Sequence, residues 1–195
     1  MTGIAIIGGS GLYQLEALEN SHTETVSTPY GEPSDVLTIG SMHGESVVFL
    51  ARHGATHTIP PHRINYRANL WALKHMGVDT VISVCAVGGI RADIRPGAII
   101  VPDQIIDYTW GREHTLYEQD LAEVTHIDFT EPYCSELRMA LIAAAAEAGI
   151  EISSTGTYGA TQGPRLETAA EINLKERDGC YIVGMTGMPE ASLAR

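Results

Sequence analysis

The sequence lacks the features that mark several large classes of proteins. It contains three cysteines, an odd number, widely spaced and without a CxxC pair (Cys85, Cys134 and Cys180). This usage argues against a disulfide framework or a zinc site and indicates a reducing compartment. No run of about 18 apolar residues is present, and no basic segment precedes the apolar stretch at the N-terminus. We therefore expect a cytoplasmic protein with no membrane span and no secretory signal.

Positive charge is also scarce. The chain has 12 Lys and Arg residues against 24 Asp and Glu residues, which gives a net charge of −12 at pH 7. Nucleic acid and anionic membrane surfaces are disfavoured as partners, because a phosphate backbone requires a concentrated basic face. A small anion can still bind, since a few aimed donors and one arginine dominate locally over distant surface charge.

Strand and helix patterns alternate along the chain. Short apolar or β-branched runs that end near glycine predict strands at residues 4–7, 36–39, 46–50, 80–84, 97–101 and 181–183. Helical spacing and capping residues predict helices at residues 65–76, 135–148, 166–177 and 189–195. The alternation predicts an α/β fold with a mixed, largely parallel central sheet flanked by helices, in a single domain over residues 1–195. The last predicted helix is too short to be stable alone, so we expect the natural protein to continue past Arg195.

Two strand ends carry candidate anion sites. In the Gly-Gly-Ser-Gly turn at residues 8–11, backbone N–H groups can converge on an oxyanion and Ser10 adds a hydroxyl donor. The alternatives are a plain turn and a dinucleotide fingerprint, and the fingerprint fails because Gln14 stands at its third position in place of Gly or Ala. After the strand ending at residue 50, Arg52 offers a planar fork of donors and His53 a further donor or proton carrier. The alternative for this pair is a surface salt bridge.

Three further segments hold candidate residues. Cys85 and Ala86 begin a small-residue turn that either admits a ligand or is a tight bend inside the core. Glu167 and Thr168 are placed in the first turn of a predicted helix, where the dipole stabilises a carboxylate without any function. The loop at 184–190 carries Thr186 and two methionines, which are more often core residues than ligand contacts.

Taken together, these motifs resemble the purine nucleoside and methylthioadenosine phosphorylase family. The segments that carry the resemblance are residues 8–11, 51–54, 65–69 (Asn-Tyr-Arg-Ala-Asn), 163–165 and 184–186, in this order. The resemblance implies a nucleoside phosphorylase-like fold and a phosphate site with catalytic Arg52, His53 and Thr186. It adds Ser10, Cys85 and Ala86 as phosphate-binding residues, with Ser10 where threonine is usual and Cys85 a weaker donor than the threonine often found there. It also implies that Met185 lies against the ribose and that a neighbouring subunit of a homotrimer lends His126.

The base-reading position departs from the adenosine-type members. Leu166-Glu167-Thr168 resembles the Phe-Glu-Thr of 6-oxopurine phosphorylases, and a carboxylate at Glu167 can accept the N1 hydrogen of hypoxanthine but faces a bare lone pair on adenine. The resemblance therefore implies phosphorolysis of S-methyl-5′-thioinosine to hypoxanthine and 5-methylthioribose 1-phosphate. Cleavage of methylthioadenosine, or of inosine and guanosine, stays open, as does a non-enzymatic phosphate- or nucleotide-binding module.

No metal or organic cofactor is expected, because the nucleophile is the co-substrate phosphate and the chain has no cluster of metal ligands. The family stabilises the leaving purine through an Asp or Asn on a later strand, and no counterpart is visible before Arg195. The isolated 195-residue chain is therefore predicted to have little or no activity.

Overall fold

A computed structural model of the chain describes residues 3–118 and 121–195, which form two compact units. The first runs to Ala86 and the second begins at Val87. The elements of the first unit are β1 (Gly3–Gly8), β2 (Glu19–Glu24), β3 (Leu37–Met42), β4 (Glu45–Ala51), a 3-10 turn (Pro61–Arg63), α1 (Tyr66–His75) and β5 (Val78–Ser83). Those of the second unit are β6 (Gly88–Gly89), β7 (Ile99–Ile100), β8 (Gln104–Asp107), α2 (Ser135–Glu147), β9 (Ile152–Ser153), β10 (Thr157–Ala160), α3 (Ala169–Arg177), β11 (Ile182–Gly184) and α4 (Gly187–Ala194).

The first unit is built on a five-stranded sheet in the order β2-β3-β4-β1-β5. β1 is parallel to both β4 and β5, while β3 pairs antiparallel with β2 and β4. β1 and β4 are apolar over most of their length, as expected for strands covered on both faces. The strand predicted at 80–84 is β5, which lies at one end of this sheet.

The helix α1 follows the predicted pattern closely. Asn65 caps its N-terminus by accepting a hydrogen bond from the Ala68 N–H, and Gly77 lies after its C-terminus with a φ of +80°. Leu70 and Leu73 are buried, so the apolar face of the helix contributes to the core of this unit. Local capping and the apolar spacing agree, which explains why this helix could be located from sequence.

The second unit contains a four-stranded sheet in the order β6-β11-β10-β8, with β7 and β9 paired separately. β10 is parallel to β8 and β11, and Ala160 pairs with both Asp107 and Gly184. The carboxyl ends of these three strands therefore meet at one edge. Gly88 and Gly89, which belong to the small-residue turn predicted to begin at Cys85 and Ala86, instead pair antiparallel with β11.

Two predicted helix starts need attention. α3 begins at Ala169 and not at residue 166, because Thr168 is its N-cap and adopts an extended backbone. Glu167 therefore lies outside the helix, and its expected place in the first turn was wrong. In α4, Met188 has non-helical angles, so the regular helix starts at Pro189, in agreement with the prediction.

The predicted α/β fold with a mixed, largely parallel sheet and flanking helices is confirmed. The strands β2, β8 and β10 were missed; β2 has six exposed residues and so no apolar alternation to detect. No helix in the described part of the chain has the length and apolar character needed to cross a membrane.

Candidate functional site

The carboxyl ends of β4, β1 and β5 lie side by side in the first unit. Gly8 pairs with Ala51, and Ile7 with Ser83, so the turns that follow the three strands start at the same edge. Arg52 is the first residue after β4, and its N–H donates to the Gly8 carbonyl at 3.0 Å. The structure thus brings three of the predicted anion-binding turns together.

The Arg52 guanidinium occupies this edge and is fully buried. Its Nη1 donates to the Val84 carbonyl at 3.0 Å, and its Nη2 donates to Ser83 Oγ at 2.8 Å and to the Ile7 carbonyl at 3.4 Å. The alternative of a surface salt bridge does not apply to a side chain in this position. Arg52 holds the strand ends together and also fixes a positive charge at the edge.

Gly9 allows the close approach between the first turn and Arg52. A Cβ atom at this position would lie 2.6 Å from the Val84 carbonyl oxygen and 2.8 Å from Arg52 Nη1. Neither distance is tolerable, so only glycine fits here. Ser10, the next residue, is exposed in the turn.

His53 is buried beside Arg52, with its ring oriented by one hydrogen bond. Its Nδ1 lies 2.8 Å from the Ile59 carbonyl oxygen. Because a carbonyl only accepts, Nδ1 carries the hydrogen in this contact. The ring of His57 packs against it with centroids 4.5 Å apart.

The third turn of this edge is more open. Cys85 is half-buried, with its Sγ 3.7 Å from Ser83 Oγ, and Ala86 is exposed. A small, partly exposed segment here fits a ligand-facing turn better than a bend inside the core.

In the second unit, Thr161 and Glu167 form a hydrogen-bonded pair. Thr161 follows β10 directly and is buried, and its Oγ1 donates to Glu167 Oε1 at 2.6 Å. Glu167 is half-buried in the loop between β10 and α3. Sequence reasoning singled out Glu167 but missed Thr161, because only the fold brings a residue of the strand end back to the loop six positions later.

Met185 and Thr186 follow β11 at the same edge as Thr161. The loop at Gly163 packs against Met185, since a Cβ at Gly163 would lie 2.4 Å from the Met185 sulfur. Thr186 is buried, and its N–H donates to the Tyr158 hydroxyl at 3.4 Å. The second methionine, Met188, is buried as core, as its alternative reading held.

Arg112 ties these loops together and was not singled out from the sequence. Its Nη1 donates to the carbonyl oxygens of Met185 and Met188 at 2.7 and 2.6 Å. Its Nη2 donates to the Gln162 and Thr161 carbonyls at 2.8 and 3.3 Å, and its Nε to Gln162 Oε1 at 3.2 Å. One guanidinium therefore fixes the loop after β10 relative to the loop after β11.

Thr168 has a structural role at the start of α3. Its Oγ1 accepts a hydrogen bond from the Glu171 N–H, and the Glu171 carboxylate accepts one from the Thr168 N–H, which together form a capping box. Arg165 binds Glu171 through two hydrogen bonds. Arg165 and the Thr168 N–H lower the pKa of Glu171 to about 2.

A second polar cluster anchors the far end of α3. The hydroxyl of Tyr108 donates to Asp178 Oδ2 at 2.6 Å, and the ammonium of the buried Lys175 lies 4.7 Å from the Tyr108 ring centroid. Burial, together with the bond to Asp178, raises the pKa of Tyr108, and burial raises the pKa of the Cys180 thiol. These contacts hold α3 to the end of β8.

The Asn65 to Asn69 segment serves as an anchor for a loop. Asn65 Nδ2 donates to the Tyr30 carbonyl at 2.7 Å, and the buried Asn69 accepts from the Ser34 N–H at 2.8 Å. This motif of the resemblance therefore holds the 30–34 loop against α1.

His126 lies on an exposed segment of the second unit. Several neighbouring apolar side chains are also exposed (Leu121, Val124 and Ile127). Among the described residues of the second unit, no hydrogen bond or ring contact joins His126 to another candidate residue. The described residues also contain no group of three His, Cys, Asp or Glu residues that could hold a metal ion.

A family model described as phosphorylase superfamily matches residues 3–195 of the chain. The chain belongs to the phosphorylase superfamily. Among the curated members of this superfamily, a probable S-methyl-5′-thioinosine phosphorylase of Pseudomonas syringae pv. tomato is 56% identical over the whole chain, which covers 79% of that protein. A 6-oxopurine nucleoside phosphorylase of Pyrococcus furiosus is 51% identical, again over the whole chain and 74% of the relative.

Solved structures of the superfamily show the same fold. Methylthioadenosine phosphorylase from Schistosoma mansoni in complex with tubercidin is 36% identical, with a TM-score of 0.96, over 100% of this chain and 76% of that one. The predicted membership of the family and the nucleoside phosphorylase-like fold are therefore confirmed.

Proposed function

We propose that this protein catalyses the phosphorolysis of a purine nucleoside with a 6-oxo base, with S-methyl-5′-thioinosine as its preferred substrate. The observation that carries the proposal is the Glu167 carboxylate, held by Thr161 in the loop between β10 and α3, a loop whose Gly163 packs against Met185. Two of the relatives described above have names that specify the same class of base.

The chemistry of the base favours this assignment. A 6-oxopurine carries hydrogen on N1, which an ionised carboxylate accepts. Adenine has a bare lone pair at N1, and placing a carboxylate against it leaves both groups without a donor. Such a desolvated mismatch costs about 1–3 kcal/mol, enough to reverse a substrate preference.

Phosphate binding is proposed for the strand-end edge of the first unit, where Arg52 and His53 orient the anion and Ser10, Cys85 and Ala86 complete the set. The fixed guanidinium and the Gly9 turn support this assignment. The resemblance implies Thr186 as a further residue that contacts and orients phosphate. A phosphate oxygen attacks C1′, the C1′–N9 bond breaks, and the bonding pair leaves with the purine, which then takes up a proton. A dianion held in place stabilises the positive charge that develops on the sugar.

The remaining parts of the site follow from the resemblance. Met185 is proposed to lie against the ribose, and Glu167 and Thr168 near the base. In a homotrimer, His126 is proposed to reach the 5′ group of the nucleoside bound by a neighbouring subunit. The exposed apolar side chains around His126 are consistent with a surface covered by another subunit. A cytoplasmic location is supported by the three cysteines, which form no disulfide among the residues that the structure describes.

The proposal uses inorganic phosphate as a co-substrate and no metal or organic cofactor. We expect that treatment with a chelator leaves the rate unchanged, whereas removal of phosphate abolishes it. Loss of activity on chelation, restored by one added divalent metal, would contradict this part of the proposal.

A coupled assay of released purine tests the substrate. The full-length protein is expected to cleave methylthioinosine with a higher kcat/KM than methylthioadenosine or inosine, and Glu167→Ser is expected to reduce the preference for the 6-oxo base. Faster cleavage of methylthioadenosine by the unmodified protein would reject the assignment of the base. Binding of phosphate and nucleoside without any bond cleavage would instead identify a binding module.

A further inference from the structure

Thr161 makes a short hydrogen bond to the carboxylate proposed to read the base. The distance of 2.6 Å between Thr161 Oγ1 and Glu167 Oε1 is in the range of a hydroxyl donating to an ionised carboxylate. The same hydroxyl lies 3.3 Å from the Gly184 carbonyl, but it has one hydrogen to donate, and the shorter contact is to Glu167.

The Thr161 hydroxyl is a rigidly placed donor. The residue is buried, its N–H donates to the Gly184 carbonyl at 2.7 Å, and its own carbonyl accepts from Arg112 Nη2 at 3.3 Å. A β-branched side chain on a fixed backbone has few rotamers available. The donor therefore loses little conformational freedom when it holds Glu167.

Glu167, in contrast, has little else to orient it. It lies outside α3. Within residues 3–118 and 121–195, the hydrogen bond that its carboxylate accepts comes from Thr161. The guanidinium of Arg165, a nearby positive charge, is instead bound to Glu171. Thr161 is thus the contact that restrains Oε1 of the carboxylate.

We propose that Thr161 is a positioning residue for base specificity: it holds Glu167 Oε1 so that Oε2 is presented to the N1–H of a 6-oxopurine. The inference rests on the function proposed above. It assigns part of the discrimination between 6-oxo and 6-amino bases to a buried hydroxyl that does not itself contact the base.

Two substitutions of Thr161 test this role. Thr161→Val replaces the hydroxyl with a methyl group of similar size, and Thr161→Ser keeps the hydroxyl. We expect Thr161→Val to lower kcat/KM for methylthioinosine about tenfold, the usual effect of losing one hydrogen bond to a charged group, while methylthioadenosine changes by less than about twofold. Thr161→Ser should restore most of the preference, and the KM for phosphate should stay constant in both variants.

A double-mutant cycle separates positioning from general damage. In a Glu167→Ala background, which removes the acceptor of the Thr161 hydroxyl, Thr161→Val should have no further effect on the ratio of the two substrates, because Thr161 acts through Glu167. Equal losses on both substrates, accompanied by a lower Tm and a higher phosphate KM, would mean that Thr161 only supports the fold and would overturn the inference. If the unmodified protein shows no preference for the 6-oxo base, the proposed function is rejected. If the unmodified protein shows the preference and Thr161→Val leaves it intact, only the role of Thr161 is rejected.

Discussion

At the scale of single residues, the site depends on side chains that are buried and hydrogen-bonded to neighbouring strands. Arg52 carries a positive charge into the first unit, where three acceptors on two strand ends receive its hydrogen bonds. Burying a charged group without such partners costs several kcal/mol, so the acceptors are a condition for its presence. The same contacts leave the guanidinium in one orientation, which is what recognition of a small anion requires.

Gly9 is the residue on which the position of Arg52 depends most directly. Gly9→Ala would place a methyl group against the Val84 carbonyl and the guanidinium, so we expect a loss of about 1–3 kcal/mol in the free energy of unfolding and a higher KM for phosphate. Urea unfolding and initial-rate kinetics measure the two effects.

Gly77→Ala is the matched control for this substitution. Gly77 has a positive φ, unlike Gly9, but it has no atom within 4 Å of a Cβ and lies at the end of α1, away from the strand-end turns. It should lose about 1 kcal/mol of stability from backbone strain alone and keep the phosphate KM. An unchanged phosphate KM in Gly9→Ala would remove the first turn from the anion site.

At the scale of elements, the loops are held by long-range hydrogen bonds, whereas the start of α3 is held by local ones. Arg112 links the loops after β10 and β11, which carry Glu167 and Met185, through carbonyl oxygens that sequence patterns do not reveal. The capping box at Thr168 is the opposite case, since it is formed within four residues of sequence.

Removal of the Arg112 guanidinium should loosen both loops. We expect Arg112→Met to reduce the free energy of unfolding by about 2–4 kcal/mol, because several carbonyls lose a charged donor. Amide hydrogen exchange should accelerate at residues 161–163 and 185–188. Arg112→Lys keeps the charge but reaches fewer acceptors, so its free energy of unfolding and its exchange rates should lie between those of the unmodified protein and Arg112→Met. Full protection of both loops in Arg112→Met would show that the fold holds them without Arg112.

The start of α3 gives a pH-dependent contribution to stability. The folded-state pKa of Glu171, about 2, lies below its ordinary value of 4.5, so its stabilising effect is present above about pH 4.5 and is lost as the pH falls towards 2. Glu171→Gln keeps a capping box but removes the charge, so its stability should change less than that of the unmodified protein between pH 6 and pH 3, by urea unfolding. Parallel curves for the two proteins would contradict the assignment of this titration to Glu171.

At the scale of the whole molecule, the exposed segment around His126 raises the question of assembly. If His126 completes the site of a neighbouring subunit, then Glu167→Ala and His126→Ala should each reduce activity when expressed alone. Coexpression should restore part of it, because random mixing leaves about one site in four with both residues intact. Sedimentation would measure the assembly, and mixed preparations no more active than the parent variants would argue against a shared site.

Prediction from sequence succeeded where the signal is local. Residues close together in the sequence encode the glycine turns after β1 and β5, the cap of α1 at Asn65 and the boundaries of α2. They also encode the start of the regular part of α4 at Pro189. It was wrong at the start of α3, where Leu166 and Glu167 extend a helical spacing that the N-cap at Thr168 interrupts. It missed β2, whose exposed polar residues are held in place by pairing with β3.

The sequence by itself determined the family, the class of fold and the order of the strand-end turns, because each is encoded in short segments with specific glycines and caps. Only the tertiary structure decided that Arg52 is buried among the carbonyls of neighbouring strands, that Arg112 joins two loops, and that Thr161 holds Glu167. The contacts of Arg52 and Arg112 join residues that are brought together by the pairing of parallel strands, whereas Thr161 and Glu167 meet because the loop after β10 turns back on the strand end. Parallel neighbours are distant in sequence, so no local pattern carries the information.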